Sequence, residues 1–354
     1  MKEYGRDAME YGKKIKKGIL LELLAMVILA GAAVQSEAYN KKSVSVTSDG
    51  FIKWVDFNVS YEALSLAYKM DVDTYGEPVH INWIEILAYA AAKNGGEFKS
   101  NALDDMEDAK EKLAEGAVTI AEMTKDLKYY SYYLEAYTAV LSGYVGEYEI
   151  EAGEKDGKPV YEKCYGLKAF SPIAKGFEYR DYDDFGVARS FGYKREHLGH
   201  DMMGRIGTPI IAVESGYVEA LGWNRYGGWR IGIRSFDKKR YYYYAHLRQN
   251  YPYAEWLAEG SEVQAGDVIG YMGHTGYSDT ENVNNIDEVH LHFGIQLIFD
   301  ESQKDGNTEI WINPYELTRF LCKNRSEVHK IEETKEWERT VHIKEEKVEE
   351  QEGD

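Results

Sequence analysis

Between residues 209 and 299 glycine cuts the chain into short apolar runs, and this punctuation limits the fold more than any other feature. Pro209-Ile-Ile-Ala-Val, Tyr217-Val-Glu-Ala-Leu, Trp229-Arg-Ile-Gly-Ile-Arg, Tyr241 to Leu247, Asp267 to Met272 and His290 to Phe299 all read as strands. Ser215-Gly216, Tyr226-Gly227-Gly228, Ala265-Gly266, Gly273 and Gly276 supply the turns between them. Short strands at this spacing indicate an antiparallel all-β domain. No phosphate loop, dinucleotide fingerprint or nucleophile elbow interrupts the pattern.

Upstream, from about Asn58 to Glu149, the periodicity is helical. An apolar stretch from Trp83 to Ala90 ends at Gly95-Gly96, a helix-stopping pair. A charged segment from Asn101 to Glu115 ends at Gly116, and Thr119 to Glu122 has the Thr-x-x-Glu form of a capping box. Behind it Met123, Leu127, Tyr130, Leu134, Tyr137 and Leu141 recur at three- and four-residue steps. A small helical bundle is expected, followed by a linker near Gly153 to Pro159. The expected fold class is therefore α+β, a small N-terminal helical region followed by an antiparallel all-β domain.

A length of 354 residues suits two domains. The expected division is 1–38, 39–152, 160–321 and 322–354. In the first, Lys13, Lys14, Lys16 and Lys17 precede an apolar run from Gly18 to Val34, which reads as a signal peptide or membrane anchor with the rest of the chain outside the membrane. The last alternates Glu and Lys with almost no apolar period, and is expected to be a solvated helix or disordered. A formal net charge of −19 argues against nucleic acid, which needs a basic face. Only two cysteines occur, Cys164 and Cys322; their spacing fits no zinc ribbon or redox motif, and a disulfide or two thiols both remain open.

The nine histidines carry the chemistry. In a strand, His290 and His292 share one face while Leu291 points into the packed layer. In His197-Leu-Gly-His-Asp201 the glycine argues for a tight loop entering a strand, which can aim His197 and Asp201 at one point. His246 ends the strand Tyr241-Tyr-Tyr-Tyr-Ala-His. Two imidazoles and one carboxylate make up a catalytic zinc set with an open position, and two further histidines remain to handle protons.

The ordered set His197-x-Gly-x-Asp201, Tyr244-Ala-His246-Leu247 and His290-Leu-His292-Phe293 resembles the lysostaphin/LytM-type zinc metallopeptidases. The glycine-rich run from Gly207 to Gly276 adds to the likeness, which covers about residues 170 to 316. The resemblance implies that the β domain, 160–321, is a metallopeptidase domain with His197, Asp201 and His292 as Zn2+ ligands. It makes His246 and His290 the catalytic pair and bacterial peptidoglycan stem peptides or cross-bridges the substrate. A departure is Gly294, where many members carry an acidic residue, so an altered rim is expected. His200 and His274 are extra histidines beside the motifs. The groove is expected to be walled by Trp223 to Trp229, Tyr251 to Trp256 and Tyr277 to Asn285. The competing expectation is a non-catalytic, exported zinc- or wall-binding scaffold, or an activator of another hydrolase.

Overall fold

The computed structural model describes residues 51–345. Five helices come first: α1 (Tyr61–Thr74), α2 (Trp83–Asn94), α3 (Ser100–Ala114), α4 (Ile120–Thr124) and α5 (Tyr130–Leu141). Their ends follow the local chemistry. Asn82 caps α2 by accepting from the backbone of Ile84 and Glu85, and Gly95 closes it in the left-handed conformation. The Thr119–Glu122 capping box forms as expected and starts α4. The stripe from Met123 to Leu141 is not one helix, because the chain turns between Thr124 and Tyr130.

The polypeptide then enters the hairpin β1 (Val145–Lys155) and β2 (Lys158–Leu167). The expected linker at 153–159 is the tip of this hairpin. Asp156 and Gly157 both take positive φ, 55° and 74°, the two-residue turn that matches strand twist. The turn residues are real, but they connect paired strands.

Beyond it lie β3 (Ala188–Phe191), β4 (Tyr193–Glu196), β5 (His200–Met203), β6 (Pro209–Ile211), β7 (Gly216–Asn224), β8 (Gly228–Ser235) and β9 (Arg240–Ala245). β10 (Glu262–Val263), β11 (Val268–Tyr271), β12 (His290–Leu297), β13 (Ile310–Ile312), helix α6 (Tyr315–Leu321), β14 (Val328–Lys330), β15 (Trp337–Arg339) and β16 (Ile343–Lys344) complete the chain. The main sheet runs β10-β7-β8-β9-β12-β13, all antiparallel. One edge of β12 pairs with β9; the other takes β5 along its first half and β13 along its second. Helices followed by a mostly antiparallel β domain is thus the architecture, with β3–β4, β10, β13 and α6 added to the strands read from sequence.

The helices and the sheet share one hydrophobic core, so packing is continuous across the expected boundary at 152–160. Trp83 stacks on Phe320 of α6 at 6.0 Å. Buried Arg240 of β9 forms a two-pronged ion pair with Glu214 at 2.7 and 2.9 Å and donates to the Ala139 carbonyl of α5 at 2.6 Å. Tyr242 donates to the same Glu214 at 2.5 Å.

The stretch after Leu321 departs from expectation. As far as residue 345 it is neither helical nor free: β14 pairs with β15, and β16 extends the β1–β2 hairpin. Arg339 is buried and donates to the Ala265 carbonyl and to Asp267, while Trp337 packs on Phe177. A few anchors inside a Glu/Lys-rich run outweigh its average polarity. Cys164 and Cys322 are unbonded thiols, and Cys322 sits 2.9 Å from the Tyr179 hydroxyl. Among the described residues no helix is long and apolar enough to cross a membrane. The expected leader within 1–38 lies outside the described residues, as do residues 346–354.

Candidate metal centre and groove

Strand pairing assembles the site. His292 stands directly opposite Asp201 on β5 and Ala245 on β9, so the last residue of the His-x-His element and the carboxylate of the first motif are cross-strand neighbours. Leu291 is fully buried on the other face, as period-two alternation requires. The loop before β5 must bring His197 back over this pair, and Gly199 makes the approach possible. A Cβ at Gly199 would lie 2.5 Å from His292 Cε1 and 2.8 Å from the Phe293 carbonyl oxygen.

Three ligand atoms consequently converge. His197 Nε2 is 2.9 Å from Asp201 Oδ1 and 2.8 Å from His292 Nδ1, and the latter two are 3.0 Å apart. His197 Nδ1 lies 2.9 Å from the Asp184 carbonyl oxygen; donating there leaves the Nε2 lone pair facing the centre. Arg189 donates to Asp201 Oδ2 at 3.0 Å, which leaves Oδ1 to face inward. Lone pairs from two imidazoles and one carboxylate crowded onto one point are the donor set of a cation, and two nitrogens with one oxygen fit zinc. In the metal-free protein burial pushes the Asp201 carboxyl up, but hydrogen bonds with His197 and His292 outweigh it and hold the group far below the usual range. Burial lowers His197, yet Asp184 and Asp201 dominate and raise it to about 9.

The other two histidines stand beside this centre. The His246 ring is 4.7 Å from that of His290 and 5.9 Å from that of His292. His246 Nδ1 lies 2.9 Å from the Thr275 carbonyl and His290 Nδ1 lies 2.9 Å from the Glu288 carbonyl, so both present Nε2 to the site. Burial first, and then the charge of His290 and His292, push His246 well below the ordinary imidazole range and keep it neutral. His246 also takes φ 62°, a left-handed conformation that costs a non-glycine residue about 1–2 kcal/mol. Its N–H donates to Gly227 and its carbonyl accepts from Gly273, which holds the conformation.

All five expected site residues therefore come together. His200 does not join them; it points to the opposite face of β5 and meets Asp181 at 3.0 Å. His274 meets the Ile286 carbonyl at 2.7 Å. Two partners escaped the sequence reading. Asp184, fully buried, contacts His197, His200 and Arg189, and Arg189 bridges it to Asp201. Burial raises Asp184, but hydrogen bonds with His197 and His200 bring it to about 2. The only sequence signal was an acidic pair, Asp183-Asp184, upstream of His197.

A groove of about 750 Å³ runs from the centre across the exposed face of the sheet. Asn224, Tyr226 and Gly227 line it from the first expected loop and Tyr277 from the third. The Tyr251 to Trp256 segment does not reach it: Tyr251 and Trp256 face solvent, and Tyr253 is hydrogen-bonded to Gly222 and Arg230 backbone. Its place is taken by the β3–β4 hairpin, through Arg195 and Glu196, and by Lys304 to Trp311. Trp311 lies across Gly294, and a Cβ there would come within 2.7 Å of the indole.

Residues 195–306 match the model of Peptidase family M23. The chain is 38% identical over 144 residues to the L-Ala--D-Glu endopeptidase of Bacillus subtilis (strain 168), covering 41% of this chain and 40% of that protein. It is 37% identical over 98 residues to lysostaphin of Staphylococcus simulans, covering 27% of this chain and 17% of that one. The chain thus spans well under two thirds of these relatives' length. A crystal structure of a lytM protein from Ruminococcus gnavus ATCC 29149 shares the fold at a TM-score of 0.50 and 24% identity, over 81% of this chain and 96% of that one. The sequence match, carried on strands that bring the histidine motifs together, makes residues 195–306 a Peptidase family M23 domain.

Proposed function

We propose that this chain is an exported zinc metalloendopeptidase that hydrolyses peptide cross-links of bacterial peptidoglycan. The observation that carries the reading is the convergence of His197 Nε2, Asp201 Oδ1 and His292 Nδ1 within 3.0 Å of one another, beside a second pair of histidines. His197, Asp201 and His292 would hold the metal, with Asp184 and Arg189 orienting them. Zinc bound there supplies Lewis acidity, lowering the pKa of a water and polarising the scissile carbonyl. Neutral His246 takes the proton of the attacking water and returns it to the leaving amine. His290, held by the Glu288 carbonyl through Nδ1, points its Nε2 into the same space and, in its protonated form, donates a hydrogen bond to the developing oxyanion. Export is supported by the basic-flanked apolar run at 18–34 and by the site of the substrate outside the cell.

The test uses the full chain. Zinc content and turnover of soluble muropeptides are measured for the wild type and for His197→Ala, Asp201→Ala, His292→Ala and His246→Ala. The reading expects the first three to lose both zinc and turnover and the last to keep zinc without turnover. Full activity in Asp201→Ala or His292→Ala overturns it, and wall binding without chelator-sensitive cleavage would favour a scaffold.

A further inference from the structure

Arginines in this acidic chain are usually matched with carboxylates when they leave water. Arg234 meets Glu219 and Glu301, Arg240 meets Glu214 and Asp237, and Arg339 meets Asp267. Two arginines lining the groove break this rule. Arg195 and Arg230 are half-buried, and neither has a carboxylate within ion-pair distance among the described residues. Arg195 Nη1 and Arg230 Nε are buried donors with no hydrogen-bond partner. An unmet guanidinium donor away from water costs free energy that an arriving acceptor relieves.

The surroundings hold these groups ready. Arg195 donates to the Tyr277 hydroxyl at 2.8 Å and its guanidinium lies over the rings of Tyr226 and Tyr277, 5.1 and 5.3 Å from their centroids. The Tyr277 ring is in turn 6.1 Å from that of His246, which puts Arg195 about one residue's reach from the reacting centre. Both guanidiniums line the same groove as Tyr243, whose hydroxyl feels the charge of each. Arg195 sits on the β3–β4 ribbon directly opposite Arg189, which donates to Asp201. The acidic groups of the groove are largely engaged elsewhere. Glu219 meets Arg234 and Lys304, and Glu309 accepts from Trp311 Nε1. Glu196 is exposed at the rim, and Asp305 lies near Tyr241, beside which Arg230 also stands, without an ion pair to it.

We propose that Arg195 and Arg230 bind a free carboxylate of the substrate, so that the chain selects peptides with an acidic residue beside the cleaved bond over uncharged glycine chains. This rests on the peptidase reading above. The planar fork of arginine donates two parallel hydrogen bonds to a carboxylate, whereas a carboxamide satisfies only part of it.

The full, zinc-loaded chain is given three probes: an L-alanyl-γ-D-glutamyl-lysine peptide with a free α-carboxylate, its α-carboxamide, and pentaglycine. The expected kcat/KM ratio of carboxylate to carboxamide is on the order of 30, with pentaglycine the poorest. In Arg195→Gln/Arg230→Gln the ratio falls to about one, and Arg195→Lys keeps part of it because the charge stays and the fork goes. Circular dichroism checks that each variant folds. A parallel arm measures binding of the first two probes to the zinc-free full chain by tryptophan fluorescence. A wild-type ratio near one, or a ratio unchanged in the double variant, overturns the proposal and leaves the peptidase reading standing. Absence of cleavage with a binding preference lost in the double variant rejects the peptidase reading and supports the carboxylate site. Absence of both cleavage and binding preference overturns the proposal as well.

Discussion

Replacing Arg240 with alanine should cost the fold heavily while sparing the metal centre. Arg240 is 1% exposed, and its guanidinium makes hydrogen bonds to Glu214, Asp237, Ser142 and the Ala139 carbonyl. Its loss leaves the buried Glu214 carboxylate with the Tyr242 hydroxyl and strips the end of α5 of its tie to β9. Removing one partner of a buried pair costs about 3–5 kcal/mol, because the remaining charge stays out of water. At roughly 2 °C per kcal/mol for a chain of this size, the melting temperature should fall by about 6–10 °C. Urea unfolding gives the free energy directly, with the m-value unchanged if only stability is altered. The double variant Arg240→Met/Glu214→Leu removes both charges and should recover much of the loss. Zinc content should match the wild type in both. A change below about 1 kcal/mol in Arg240→Ala would refute the idea that helices and sheet are one folding unit held at this point.

Other expectations follow from the site. Asp184→Asn, which keeps every ligand but weakens their orientation, should loosen zinc by about 10- to 100-fold in a chelator competition. Gly199→Ala forces a Cβ against His292 and the Phe293 carbonyl, and should lower zinc affinity more than it lowers stability. With His197 raised to about 9, its charged form stabilises the metal-free fold. A raised folded-state pKa contributes fully below about 6.5, and that contribution, at most about 3 kcal/mol, is lost as pH rises through 9. Urea midpoints taken with chelator should therefore fall between pH 6.5 and 9.5, and added zinc, which holds His197 deprotonated, should remove that fall.

What could be read in the residues was what obeys a short period. His290 and His292 share a face because strand side chains alternate, and the glycine turns mark strand ends regardless of context. Beyond the acidic pair Asp183-Asp184, nothing local announced Arg189 or Asp184, whose value lies in contacts made after the β3–β4 hairpin folds back on the loop before His197. The hairpin tip at Asp156-Gly157 looked like a linker because both use the same turn residues. The stretch around Trp337 and Arg339 was hidden by average charge, since its anchors are single residues whose partners, Phe177 and Asp267, are far along the chain. The Tyr251 to Trp256 loop shows the reverse failure: aromatic composition suggested a groove wall, but Tyr253 spends its hydroxyl on the backbone behind it.

The central claim is that zinc is held by two imidazoles and one carboxylate on β5, β12 and the loop before them. X-ray absorption at the zinc edge on the full chain addresses it most directly. One zinc per chain, with nitrogen and oxygen neighbours at about 2.0–2.2 Å and no sulfur, is the result expected, and Asp201→Ala should abolish the signal. A sulfur shell near 2.3 Å, or zinc retained at full stoichiometry in Asp201→Ala, would contradict it.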